Sequence, residues 1–133
     1  ATAPVPFVGN PITYGQFKQA IIGQESGGRY GVANAEGSGA MGVGQVMPGT
    51  ARNLAARIGL PYRPELMAGT DPEARAYQDQ ITDAAVREAW NAGGAGKDLR
   101  TSAHYYFAGS DRSGWGPKTH EYGNDILQRL GVR

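Results

Sequence analysis

The chain has no cysteine, which excludes a disulfide framework and any thiolate metal site. It also lacks an apolar run near the roughly 18 residues that a membrane helix needs, so no span is expected and the chain reads as soluble. Neither sign of charge dominates: 13 basic and 12 acidic residues leave a net charge of +1. The two signs are interspersed, and the basic stripe of a dedicated nucleic-acid binder is absent. There is no alternating run of strand length and no internal repeat, which argues against a β fold or a solenoid. Histidine occurs only at His104 and His120, without metal-ligand spacing to each other or to the acids, so neither a metal nor another cofactor is expected. Ser26, Ser38, Ser102, Ser110 and Ser113 all lack the strand–turn–helix setting of a nucleophile elbow.

What is present fits one folded domain, since 133 residues can bury a real core without staples. Residues 1–11, "ATAPVPFVGNP", hold three prolines and no periodicity, and they read as an extended lead-in or linker. Residues 12–133 form the domain proper. A start at Ala1 without methionine suggests a processed form or a piece of a larger protein.

The first helix has clear boundaries. Thr13 and Gln16 have capping-box spacing, Ile12 and Phe17 have staple spacing, and Gly27 with Gly28 closes the run. Pro48 suits the first turn of a second helix with Ala51, Leu54, Ala55 and Ile58 on one face and Gly59 at its end. Asp71 and Pro72 cap a third, running to about Trp90, with Tyr77, Ile81, Ala84 and Ala85 as its stripe. A fourth is expected over Asp98–Ala108 and a fifth around Thr119–Leu130. "LPYRPELMAGT" reads as connection. The predicted fold is all-α, with a long glycine-rich loop after the first helix.

Within this frame Glu25 is conspicuous. It continues the stripe of Phe17 and Ile21, four residues beyond Ile21, yet it stands at the helix end before two glycines. Burial and the negative end of the helix dipole would both push its pKa upward. A carboxylic acid kept protonated near neutral pH is what protonation of a glycosidic oxygen requires. An ordinary helix-end carboxylate is the plainer alternative.

The loop contains a G-x-G-x-x-G match at Gly37, Gly39 and Gly42, but no strand precedes it and no helix opens at Gly42, so it is not a nucleotide fingerprint. Backbone without Cβ atoms can instead let a bulky ligand approach closely. Tyr105, Tyr106, Phe107, Trp115 and Tyr122 cluster late in the chain, where core packing or stacking on sugar faces would use them.

Taken together, "ESGGRY", "GAMGVGQVMPGTA", "HYYFAG" and "PKTHEYGNDIL" resemble the E-S, G-A-x-G-L-M-Q-x-M-P-x-T-A, A-Y-N-A-G and E-T-x-x-Y-V blocks of the soluble lytic transglycosylases in the goose-lysozyme-like superfamily. The resemblance spans about Tyr14 to Leu130. It implies a lysozyme-like fold and a peptidoglycan substrate, cleaved between N-acetylmuramic acid and N-acetylglucosamine with formation of 1,6-anhydro ends. Glu25 matches the catalytic acid, and Ser26 the residue that supports it and contacts substrate. Gln45 and the backbone of Gly42 to Gly44 match the wall that meets the N-acetyl sugars. Tyr106 matches the tyrosine of the A-Y-N block, and Tyr122 the tyrosine that hydrogen-bonds the catalytic carboxyl. Val43 and Gly44 replace leucine and methionine, and Phe107 stands where the family has asparagine.

The resemblance further implies a monomeric domain acting outside the cytoplasm, in the periplasm or cell wall, from a secreted bacterial enzyme or a phage virion protein. Two other readings stay open. Goose-type lysozymes carry a second acid in the loop, near the place of Glu36, and Glu36 activating water would make the chain a muramidase. A non-catalytic peptidoglycan-binding or structural module would keep the fold without turnover.

Overall fold

The structure is a computed structural model and describes residues 11–132. The expected lead-in therefore lies outside the described residues, apart from Pro11. Six α-helices follow one another: α1 (Tyr14–Glu25), α2 (Pro48–Arg57), α3 (Pro64–Met67), α4 (Pro72–Ala92), α5 (Leu99–Ala108) and α6 (Pro117–Leu130), with a 3₁₀ turn at Arg112–Gly114. No β-strand occurs among the described residues, so the fold is all-α as expected; two isolated bridges join Ala33 to Met41 and Met41 to Val46. The chain divides into two compact units, one formed by Ile21–Glu88 and the other by the described residues through Ala20 together with those from Ala89 onward.

Helix boundaries follow the capping chemistry. The Thr13 N–H donates to Gln16 Oε1 at 2.9 Å while the Gln16 N–H donates to Thr13 Oγ1 at 3.1 Å, a reciprocal box that satisfies two otherwise orphaned donors. Asp71 Oδ1 accepts from the Ala74 N–H at 2.8 Å and starts α4. Asp98 does the same for Thr101 at 3.0 Å and starts α5. Pro117 occupies the first turn of α6, and Gly131, at φ 74°, ends it in the left-handed region.

In the Ile21–Glu88 unit, Ala51, Leu54 and Ala55 of α2 pack with Leu66 and Met67 of α3 and with Ala74, Tyr77 and Ile81 of α4. Two sequence expectations change here. "PELM" forms the short helix α3, not mere connection, and both its apolar side chains are buried. Ile58 lies past the end of α2 and is 41% exposed; once the helix stops at Arg57, its spacing no longer holds Ile58 on the buried face.

In the other unit, α5 packs on α6, and Ala103, Ile126 and Leu127 are buried there. Tyr14 and Phe17 of α1 meet the Trp90 ring at the end of α4, at centroid distances of 5.8 and 5.5 Å.

Candidate functional site

Glu25 is the last residue of α1 and is half-buried, while Phe17 and Ile21 on its stripe are fully buried. The helix ends there because Gly27 and Gly28 adopt φ values of 67° and 85°, a conformation that costs little only without a Cβ. The position is therefore fixed on one side by a rigid helix and on the other by a tight glycine turn.

Ser26 carries that turn into the glycine loop. Its side chain is buried, its hydroxyl donates to the Val43 carbonyl at 2.7 Å, and it accepts from the Gly28 N–H at 3.1 Å. One side chain thus ties the residue after Glu25 to the middle of the loop, 17 positions along the chain.

The loop itself is a pair of closed turns. Met41 and Val46 exchange both backbone hydrogen bonds, at 3.1 and 3.0 Å, and enclose Gly42 to Gln45. Asn34 and Ala40 enclose the adjoining turn through the Asn34 N–H and the Ala40 carbonyl, at 3.0 Å. Gln45 sits at φ 52°, unusual for a residue with a side chain. Its amide holds it there by donating to the Val32 carbonyl at 2.9 Å and to the Gly42 carbonyl at 3.1 Å. Strain of this kind persists only where the surroundings over-determine it, and such positions concentrate at functional sites.

Sequence reasoning missed the residue that organises this loop from beneath. Gln78 of α4 is fully buried, and both ends of its amide are saturated. Oε1 accepts from the Gly31 N–H at 2.9 Å and the Val43 N–H at 3.1 Å; Nε2 donates to the Leu66 and Gly69 carbonyls, each at 2.8 Å. The signal was present in the spacing. Ala74, Gln78, Ile81 and Ala85 recur at helical intervals, so a polar residue interrupts an apolar stripe. Buried amides in such places are almost always hydrogen-bonded.

Gln78 also revises the reading of Gly42. A Cβ there would lie 3.1 Å from Gln78 Oε1 and 3.3 Å from Met67 Cε, and φ is 84°. The close approach that requires glycine is to the protein's own interior. Gly42 and Gly44 are both buried. A second anchor joins the start of the loop to α4: the Tyr30 hydroxyl donates to Asp79 Oδ1 at 2.7 Å, with the Arg75 guanidinium 5.1 Å from the ring centroid. That hydrogen bond to Asp79 is the main cause holding the Tyr30 phenol above its ordinary pKa.

Glu36, the candidate second carboxylate, sits exposed in the Asn34–Ala40 turn, where its N–H donates to Asn34 Oδ1 at 2.8 Å. Ser26, Gly42, Gly44 and Gln45 are thus gathered with the Glu25 end of α1 in one unit. Tyr106 and Tyr122 belong to the other, on α5 and α6. There Tyr122 is buried, and Phe107 stacks on it with 45% of its own surface exposed.

In the same unit, His104 is buried with its ring against Trp115 and His120, at centroid distances of 5.1 and 5.0 Å. Burial, reinforced by the charges of His120 and Arg100, lowers its pKa from 6.5. Among the described residues no three histidines or carboxylates gather as a metal would need. A groove of about 660 Å³ runs along the start of α1 and the end of α6, lined by residues such as Gln16, Gln19 and Arg129; it contains none of the candidate site residues. No helix of the described residues is long and apolar enough to cross a membrane. Set against known proteins, the chain matches no family model and no curated sequence.

Proposed function

We propose that the chain is a lytic transglycosylase of lysozyme-like fold that cleaves peptidoglycan glycan strands, with Glu25 as its one catalytic carboxyl group. The observation that supports this reading best is the 2.7 Å hydrogen bond from Ser26 to Val43, which fastens the Glu25 end of α1 to the glycine turn. A helix-end carboxylate with no role has no need of such a frame. The half-buried Gln45, in the same unit as the acid, is the loop's candidate contact for N-acetyl sugars.

In the proposed reaction, the Glu25 carboxyl donates its proton to the oxygen bridging N-acetylmuramic acid and N-acetylglucosamine, and the bond from the anomeric carbon to that oxygen breaks. The 2-acetamido oxygen stabilises the electron-poor anomeric carbon, as in substrate-assisted glycosidases. The Glu25 carboxylate then takes the proton of the sugar's 6-hydroxyl while that oxygen bonds to the anomeric carbon. This closes the 1,6-anhydro ring and returns Glu25 to its protonated form. An attacking group held in the same molecule has an effective concentration on the order of 10⁵ M or more, so a second carboxylate to activate water is unnecessary.

A chain with this activity would meet its substrate outside the cytoplasm, in the periplasm or cell wall, and would work as a monomer. Mass analysis of muropeptides released from purified sacculi tests the reading. Anhydro ends are expected. Reducing ends would point to hydrolysis with Glu36 as the base, and no release would overturn catalysis in favour of a binding module.

A further inference from the structure

We infer that Gln78 is a positioning residue for the catalytic centre, a buried clamp that sets the Gly42–Gln45 turn against the Glu25 end of α1. The inference rests on the reading of Glu25 above for its functional part, and on hydrogen-bond geometry alone for its structural part. The Val43 peptide group is held from both sides: its N–H donates to Gln78 Oε1 at 3.1 Å, and its carbonyl accepts from Ser26 Oγ at 2.7 Å. A continuous chain of contacts therefore runs from α4 through Val43 to the residue bonded to Glu25. The same oxygen of Gln78 accepts from Gly31, so both limbs of the glycine loop depend on it.

The polarity of the amide is what the site needs. One end must accept twice, from Gly31 and Val43, and the other must donate twice, to Leu66 and Gly69. Among neutral side chains of this length only glutamine offers two donors and a two-lone-pair oxygen. All four partners are backbone groups, and none of them carries a charge. A one-atom change in Gln78 can thus misalign the loop without altering the loop's own side chains. Misplacement by about 1 Å costs on the order of 10²-fold in rate.

Gln78→Glu turns this asymmetry into a pH readout. An ionised carboxylate has nothing to donate to the Leu66 and Gly69 carbonyls, whereas the protonated acid donates once and still accepts from Gly31 and Val43. Residue 78 is fully buried, and burial raises a carboxyl pKa, so the acid form is accessible under mild conditions. Turnover of soluble glycan-strand fragments, taken as the ratio of variant to wild type, is expected to be low at about pH 8 and to climb about tenfold or more towards about pH 5. The loss should fall on kcat more than on KM. The ratio cancels the titration of Glu25 itself. A folded variant whose ratio stays near one throughout would overturn the inference.

Amide exchange in the wild-type protein gives a second arm that needs neither the variant nor activity. The Gly31 and Val43 N–H groups should share one slow opening, because one oxygen holds both. Fast or independent exchange at either would overturn the clamp. Failure of the wild type to release anhydro products would instead refute the proposed reaction, leaving the exchange arm to decide the clamp.

Discussion

The ring of Phe107 lies stacked on that of Tyr122, centroids 4.8 Å apart and planes 30° from parallel, with 45% of Phe107 open to solvent. Asparagine at this position would offer a donor and an acceptor; phenylalanine offers an apolar face. Since Phe107 is outside the core, Phe107→Asn buries no unmet polar group. Its cost is the ring–ring contact, about 0.5–1.5 kcal/mol. The variant should melt only slightly lower and should keep or raise sacculus activity. Strong destabilisation in a thermal melt would contradict the exposed placement.

Gly42→Ala should be strongly destabilising. A left-handed backbone costs an L-residue about 1–2 kcal/mol, and here the added methyl also presses on Gln78 and Met67. Both the melting temperature and sacculus lysis are expected to fall. The same change at Gly37, also at positive φ but with open space around its would-be Cβ, carries only the backbone term. Equal losses at the two sites would show that the packing against Gln78 is unimportant.

Why one glycine differs from the other was not legible in the chain, although much else was. The boundaries of α1, α4 and α5 were readable because each is set by a side chain three residues from its partner, as with Thr13 and Gln16 or Asp98 and Thr101. The stripe carrying Glu25 was readable because 3.6-residue periodicity is local. Gln78 was visible as an anomaly in the α4 stripe, but its partners are backbone groups of Gly31, Val43, Leu66 and Gly69, and backbone leaves no mark in residue type. α3 escaped because four residues are too few for a period. The stacking of Phe107 on Tyr122 joins two helices, and nothing in either segment announces it.

Thr82 lies one turn beyond Gln78 on α4, fully buried, and among the described residues its hydroxyl has no hydrogen-bond partner. Thr82→Val keeps the branched shape and removes the unpaired group. Stability should rise by about 1 kcal/mol, visible as roughly 4 °C in the melting temperature. A lower melting temperature would mean that the hydroxyl is engaged after all.

His104 should make stability depend on pH below neutrality. Its folded pKa is depressed below 6.5, first by burial and then by the charges of His120 and Arg100. As pH falls through 6.5 the unfolded chain takes up a proton that the folded chain refuses. Stability is thus full above that value, declines below it, and levels off once the folded histidine also titrates. His104→Gln removes the titration, so its melting temperature should drop less than the wild type's between about pH 7.5 and about pH 5. Parallel pH profiles for the two proteins would dismiss His104 as the cause.

Glu25 and Glu36 separate the two enzymatic readings when changed one at a time. Glu25→Gln keeps the size of the side chain at the end of α1 and loses only the transferable proton. General acid–base catalysis contributes about 10²–10⁴-fold, and the same group serves both steps, so release from sacculi should fall to background. The fold should survive, because Ser26 and Gln78 hold the loop through groups that this change leaves in place. Glu36 is exposed, and it joins its turn through its backbone N–H, which any side chain retains. Glu36→Gln should therefore leave the rate of anhydro-product release within about twofold of wild type, well short of the roughly hundredfold loss that removal of a general base produces. Were Glu36→Gln to abolish release while Glu25→Gln retained part of it, Glu36 would be the essential carboxylate and the single-acid mechanism would have to be abandoned. Loss in both, with reducing ends in the wild-type digest, would identify an inverting hydrolase that uses the two acids together.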